Sequence, residues 1–445
     1  MRTKEEIRSG EWFGPIPEGW EMKPLKTLFT FSKGLSITKA DLTEEGVPVV
    51  SYGQIHSKAY KGTGVDEAIL RYVSKQTVAD NTASQVNEGG FVFADTSEDL
   101  DGVGNCAYND STVNLYGGYH TVVLNPREYD DNKYLAYLFR TDAWRKQLRR
   151  QLVDVKLFSV TQGILSEAYV VLPPLETRSA IVAYLDAHCT PIDEAIARHR
   201  TAIGKLEEYR RAVITKAVTK GLDPNADMKD SGIGWIGKMP SSWRLEKLKY
   251  LCESRNGLDY KAQDVCDISD PDSVFVIRSS NIINGYIKHG DDVYINKQIP
   301  DALQLRRGDL VIVRTNGSQR LVGKCAMLDT DEKCTAGAFM LICRSIFNPY
   351  IYWVLRSELL SFHRGQFDTT TINQLSNDML RNMLIPLPPS EQMLSILAYL
   401  DYQCAAVDDA IDRQNQIISK LEEYRKGLIH AAVTGRIDCT KGVAS

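Results

Sequence analysis

Two stretches of this chain place arginine, asparagine and serine where an apolar run gives way to polar residues. Arg278-Ser-Ser280-Asn281 follows SVFVI, and Arg314-Thr-Asn316-Gly-Ser318-Gln319-Arg320 follows LVIV. A third polar group, Gln366 and Thr370 through Asn373, lies just before a helical segment. Arginine offers a fork of donors that fits a guanine edge, and Asn or Gln amides fit adenine, so these residue types on loops suit the reading of base edges in a DNA groove. Corresponding places in the first half of the chain carry Tyr52 and Gln54, Thr96 and Ser97, and Lys156 and Phe158. Any one of these is equally well explained as an ordinary solvated loop. The whole set recurring at matching places is not.

Bond-making chemistry finds less support. Gly317 to Lys324 has five residues between its glycines and lacks the Ser/Thr of a phosphate loop. Asn348-Pro349-Tyr350 recurs in amino-methyltransferase loops with a further proline that is missing here, and it suits a helix start better. Asp331-Glu332-Lys333 has no convincing partner carboxylate, and the seven histidines give no pair at metal-ligand spacing.

The elements that would position the loops come in two copies. LPPLETRSAIVAYLDAHCTPIDEAIARHR (172–200) aligns without a gap on LPPSEQMLSILAYLDYQCAAVDDAIDRQN (387–415), an offset of 215 residues. KLEEYR recurs further on in both. Upstream, IPEGWEMKPLKTLF (16–29) matches MPSSWRLEKLKYLC (239–252) through Trp20 and Trp243. QVNEGGFVFADT (85–96) matches QLRRGDLVIVRT (304–315), and VGNCAY (103–108) matches VGKCAM (322–327). The loops differ in residue type while the flanking runs match. That is the pattern of one scaffold carrying two different readers.

Short apolar runs at 46–55, 91–96 and 120–124, and at 272–282, 310–315 and 339–343, predict strands, with one helix per half near 131–150 and 348–364. The fold class is therefore α+β: two tandem mixed α/β domains, each followed by a long helix. The helices carry a heptad seam of Ile192, Ile196, Ile203 and Leu206 in one copy and Val407, Ile411, Ile418 and Leu421 in the other. Polar residues interrupt each seam at the same two places, His199 with Gln414 and Arg210 with Arg425. They either fix register or reach out to water at the edge. Thr190-Pro191 reads as a helix start, and Gly221 and Gly435 as helix ends. At about 1.5 Å per residue the first seam spans on the order of 39 Å, near the roughly 34–36 Å of one DNA turn. The expected organisation is a globular domain at 1–170, a helical region at 171–222, a linker at 223–242, a second domain at 243–385 and a second helical region at 386–445.

Bulk properties bound this reading. Net charge is −4, so a simple basic nucleic-acid binder is not indicated, although basic stretches occur at 143–150 and 305–324. Nine cysteines stand singly with no C-x-x-C, which argues against disulfide and zinc frameworks and for small buried side chains. No apolar run is long enough to span a membrane and the N-terminus lacks a signal-like core, so the expectation is a cytoplasmic protein.

The two-copy layout resembles the specificity subunits of type I restriction–modification systems. The resemblance rests on the paired LPP segments, the KLEEYR helices and the Trp20/Trp243 domain starts, and it covers essentially the whole chain. The family's LPP-x-x-EQ element is intact at Glu391-Gln392, whereas Glu176 is followed by Thr177 in the first copy. The resemblance implies two target recognition domains, each reading one half of a gapped duplex DNA sequence. It further implies that the long helices pair as an antiparallel coiled coil with pseudo-twofold symmetry and set the gap. Two methyltransferase subunits would dock on this chain, and restriction subunits would join the full complex. S-adenosylmethionine, ATP and Mg would belong to those partners, leaving this chain non-catalytic and without a cofactor. Two other readings are a scaffold of two non-DNA modules and an enzyme with an unrecognised site.

Overall fold

The computed structural model describes residues 12–442, apart from 58–59, 61–62, 66, 68, 129–131, 153–156, 364–367 and 370–371. The chain divides into two compact units, residues 1–198 with 417–445, and residues 199–416. Both long helices are shared by this division. Leu175–Lys220 gives its first part to unit 1 and its second to unit 2, and Ser390–Val433 does the reverse.

In unit 1, Phe29–Lys33, Thr121–Pro126, Phe91–Ala94 and Cys106–Tyr108 form a four-stranded antiparallel sheet in that order. A second sheet orders Arg71–Val73, Val47–Val50, Leu115–Gly117 and Gln85–Val86, with its middle pair parallel. Unit 2 repeats the first sheet strand for strand and the parallel pair of the second, but its second sheet adds Val265–Cys266 at one edge and lacks a partner equivalent to Gln85–Val86. Glu253–Asn256, Met340–Arg344, Leu310–Val313 and Cys325–Met327 form one sheet, and the parallel pair Val274–Ile277 with Cys334–Ala336 lies in the other. The strands buried on both faces are continuous apolar runs such as FVFA and LVIV, as a central strand requires.

Each core uses both long helices. In unit 1, Trp144, Phe91, Phe93 and Phe139 pack with Ile181, Leu185 and Cys189 of the first helix and with Ile429, Ala432 and Val433 of the second. In unit 2, Trp243, Tyr350 and Trp353 pack with Ile214, Ala217 and Val218, and with Ile396, Leu400 and Cys404. Equivalent tyrosines tie the domains to the helix ends. Tyr134 Oη donates to the Val433 carbonyl at 2.9 Å, and Tyr350 Oη lies 3.3 Å from the Val218 carbonyl and 2.8 Å from that of Pro386. The intact Gln392 accepts from Trp243 Nε1 at 2.7 Å.

Within each unit the helices run antiparallel, and the interruptions of the seam meet partners across it. His199 Nδ1 lies 2.5 Å from Gln414 Oε1. Arg210 pairs with Asp408 in unit 2, and Arg425 pairs with Asp193 at 3.1 Å in unit 1. These are the same pair at the 215-residue offset. Their side chains are 12–19% exposed, so the arginines do not reach out to water. Of the seam residues, Ile192, Ile196, Val407, Ile411 and Ile418 are buried and Ile203, Leu206 and Leu421 are half-buried.

Three expectations require correction. The first long helix begins at Leu175 rather than at Thr190, and Pro191 lies inside it. Proline deletes one backbone bond there, but Ile181, Leu185 and Cys189, spaced by four, already bury a helical face ahead of it. Each expected short helix is two. Lys133–Leu138 gives way to Asp142–Arg149 where Thr141 accepts from Trp144 N, and Asn348–Leu355 gives way to Leu359–His363. The segment 223–242 is not a bare linker. It folds into a hairpin, Met228–Asp230 with Lys238–Pro240, and buries Ile236 and Met239 in the core of unit 2.

Candidate nucleic-acid interface

In unit 2 the candidate loops leave the ends of Val274–Ile277 and Leu310–Val313, strands held in separate sheets by the core around Val311 and Val313. After Ile277 the chain makes one tight turn, Ser279–Asn281. Asn281 is 1% exposed; its Oδ1 accepts from Arg278 N at 3.0 Å and its Nδ2 donates to Asp292 at 2.9 Å. It therefore shapes the turn and cannot reach a base, because local capping has taken its amide. Arg278 is engaged by the Asp291 carboxylate at 2.8 Å. Ser280 is exposed.

Ser279 connects this turn to the next loop. Asn316 Nδ2 donates to Ser279 Oγ at 3.2 Å, while Asn316 Oδ1 accepts from Ser318 N at 2.9 Å. Asn373 Nδ2 donates to the Gly317 carbonyl at 3.2 Å. With its amide oxygen turned toward Arg314, Gln374 accepts from the guanidinium at 2.6 and 3.0 Å. The structure thus gathers Arg314, Asn316, Ser318 and Asn373 in one cluster. Gln319 is half-buried and Arg320 exposed at its edge, where Arg320 turns toward a neighbouring cleft. Phe339 is not among the loop residues that polar type suggests as base readers. Its carbonyl accepts from Arg314 N at 2.8 Å, and it is 68% exposed beside the cluster. Donors and acceptors around an exposed apolar ring match what base edges and the thymine methyl present in the major groove.

Unit 1 builds the same position from other residues. Thr96–Ser97 pairs with Phe158–Ser159. Ser97 is 4% exposed and donates to the Asp99 carbonyl at 2.7 Å, so it holds a turn rather than facing outward. Gln54 Oε1 accepts from Ser51 N at 3.1 Å and caps the short helix Tyr52–Ile55. Phe158 is half-buried against the core. Thr96 Oγ1 donates to Asp95 at 2.7 Å, and the Thr96 carbonyl lies 2.9 Å from His56 Nε2. Tyr52 packs edge-on against Tyr119 and His120 at 5.6 and 5.4 Å. His120, whose φ is 55°, heads its strand as Phe339 does in unit 2, and Asp95 stands where unit 2 has Arg314. A cleft of about 620 Å³ opens here between Asp95, His120, Ser159 and Gln162. Lys156, Gln366 and Thr370 lie outside the described residues.

Among the described residues no group of His, Cys, Asp and Glu is arranged to hold a metal ion. The nine cysteines are free, and all but Cys266 are buried. No described helix is long and apolar enough to cross a membrane.

Residues 17–203 match the family model of the type I restriction modification DNA specificity domain. The chain is 28% identical over 209 residues to the type I restriction enzyme EcoKI specificity subunit of Escherichia coli K12, covering 45% of this chain and 44% of that protein. It is 22% identical over 452 residues to the MjaX specificity subunit, itself described as putative, of Methanocaldococcus jannaschii, covering 98% and 97%. The match to the EcoKI subunit spans under half of that protein's length. A solved structure from work on complex assembly and conformational transition of the type I system covers 95% of this chain with a TM-score of 0.61. At 18% identity it speaks for the fold, two mixed α/β domains each followed by a long helix.

Proposed function

We propose that this chain is a type I restriction–modification specificity subunit and that it reads a bipartite duplex DNA target, the loops of unit 1 addressing one half and those of unit 2 the other. The observation that carries this reading is the pairing of like scaffold with unlike chemistry. Asp95 and His120 occupy in unit 1 the strand-end positions of Arg314 and Phe339 in unit 2. An aspartate accepts and an arginine donates, so the two sites select different base edges. The paired helices set the gap between the halves and dock two methyltransferase subunits, and restriction subunits join the full complex. Adenine methylation, S-adenosylmethionine, ATP and Mg belong to those partners, and this chain performs no catalysis of its own. With a net charge of −4, the complex shares the phosphate contacts that position it on DNA. The working compartment is the cytoplasm.

The test is co-expression with the methyltransferase subunit and a genome-wide map of adenine methylation. One gapped motif with two unlike halves is the expected result. A well-formed complex that adds no methylation removes DNA specificity as the function.

A further inference from the structure

We propose that unit 2 carries, next to its base-reading loops, a separate seat for a backbone phosphate of the duplex, built by Arg320, Lys324 and Arg356. The inference rests on the DNA-reading function proposed above and assigns a site within it. The three side chains line a cleft of about 320 Å³ between the long helix and the globular part of unit 2. Arg356 is held in place: its guanidinium lies 4.9 Å over the Tyr352 ring and 5.1 Å over Trp353, and it donates to the Asn284 carbonyl at 3.1 Å. Lys324 Nζ reaches the Ser279 carbonyl at 3.4 Å, and burial lowers its pKa. Arg320 is exposed at the mouth.

Charge bookkeeping separates these three from their neighbours. The other arginines of the cleft are neutralised, Arg210 by Asp408 and Arg211 by Glu358 at 3.8 Å. Among the described residues, Arg320, Lys324 and Arg356 form no salt bridge, and Glu207 is the one acid left on the rim. Positive charge gathered in a concave site without a carboxylate partner attracts an anion, and guanidinium with ammonium suits a phosphate.

Unit 1 supplies the comparison within the same molecule. By the alignment of VGNCAY with VGKCAM, Asp101 and Asn105 stand where unit 2 has Arg320 and Lys324. There Arg145 donates to the Asp101 carbonyl and to Asn105 Oδ1, both at 2.7 Å, and Arg149 lies 3.6 Å from the Asp101 carboxylate. In unit 1 Arg149 meets the carboxylates of Asp101 and Asp142, whereas in unit 2 Lys324 and Arg356 meet only carbonyl, hydroxyl and ring groups. The cleft also adjoins the reading cluster, because Ser279 accepts from Lys324 through its carbonyl and from Asn316 through its hydroxyl. A phosphate seated here therefore lies beside the reading cluster. Arg320, which residue type alone suggests as a base reader, is assigned to the backbone.

The experiment uses the assembled complex with its methyltransferase subunits, comparing wild type with Arg320→Gln, Lys324→Gln and the double variant. Binding is measured by fluorescence anisotropy on a duplex carrying the mapped motif and on a scrambled duplex, across a series of salt concentrations. Each phosphate contact contributes ~0.9 to the slope of log affinity against log salt. The expected result is a slope reduced by about one in each single variant and by about two in the double. Affinity falls alike on both duplexes and the methylation motif stays unchanged. An unchanged slope with wild-type thermal stability overturns the assignment, as does relaxed sequence preference at one position, which would return Arg320 to base reading. Protection of the cleft by inorganic phosphate without any change in the DNA slope also overturns it. A wild-type complex that binds neither duplex defeats the DNA-reading function itself, a result distinct from all of these.

Discussion

Replacing Asp193 with asparagine keeps the size of the side chain and removes the charge that Arg425 faces across the helix seam. Both carboxylate oxygens are used, Oδ1 at 3.1 Å from Arg425 Nε and Oδ2 at 3.3 Å from Nη2. The pair is 12% and 13% exposed, so water replaces little of what is lost. Asp193 also offsets a second cation. The buried Arg140 has its pKa lowered first by desolvation and then by Arg425, with Asp193 acting in the opposite sense. Removing one partner of a buried pair costs ~3–5 kcal/mol, and the residual exposure here places the expectation at about 2–3 kcal/mol. For a unit of this size, where ~1 kcal/mol moves the melting temperature by ~2–4 °C, unit 1 should melt roughly 5–10 °C lower. Differential scanning calorimetry measures the shift, and hydrogen exchange assigns it to unit 1. An apolar double variant, Asp193→Leu with Arg425→Leu, should recover most of the loss, because two desolvated charges disappear together. A single variant within about 1 °C of wild type, or a double variant no better than the single, would refute the reasoning. The equivalent Asp408→Asn in unit 2 should cost less, since Asp408 is 19% exposed.

Other expectations concern the helix end, the loops and one histidine. Gly435 has a φ of 70°, and a Cβ there would stand 2.3 Å from Pro17 Cγ, so Gly435→Ala should destabilise by ~2 kcal/mol or more. Gly427→Ala, in open space inside the same helix, should stabilise by ~0.5–1 kcal/mol, and thermal melts compare the two. Arg314→Ala should relax the methylated motif in one half only; an unaltered motif at every position would remove Arg314 from the reading cluster. His289 has its pKa raised first by its hydrogen bond with Asp292 at 2.8 Å and then by Glu332. A histidine held this way adds stability below its unfolded pKa, ~6.5, and loses it as pH rises through the folded value. An NMR titration should place its midpoint above the ordinary value, and Asp292→Asn should bring that midpoint down.

The scaffold was legible in the sequence because it is written twice. The LPP and KLEEYR segments announce two long helices, and the alternation of Ile192, Ile196 and Ile203 shows which face they bury. The aspartates that meet the seam arginines were not legible. Asp193 and Arg425 are 232 positions apart and become neighbours only once the register is known. The loops illustrate a different limit. Residue type says that Asn281, Ser97 and Gln54 are able to reach a base, but each instead completes its own turn, and local sequence does not separate the two fates. Phe339 and His120 were open to discovery, since aligning FMLIC with HTVVL already places a ring at the head of the same strand in both copies.

The division of the long helices bears on the order in which the chain is completed during synthesis. Unit 2 is one continuous stretch, 199–416, whereas unit 1 needs residues from Ile417 onward to cover Ile181, Leu185 and Tyr134. The part made first therefore closes last. At ~5–20 residues per second, a nascent chain waits roughly 10–45 s between emergence of the first long helix and arrival of Ile429 and Val433. Throughout that interval an apolar face destined for the core of unit 1 stands open to chaperones, or to the same helix of another nascent chain.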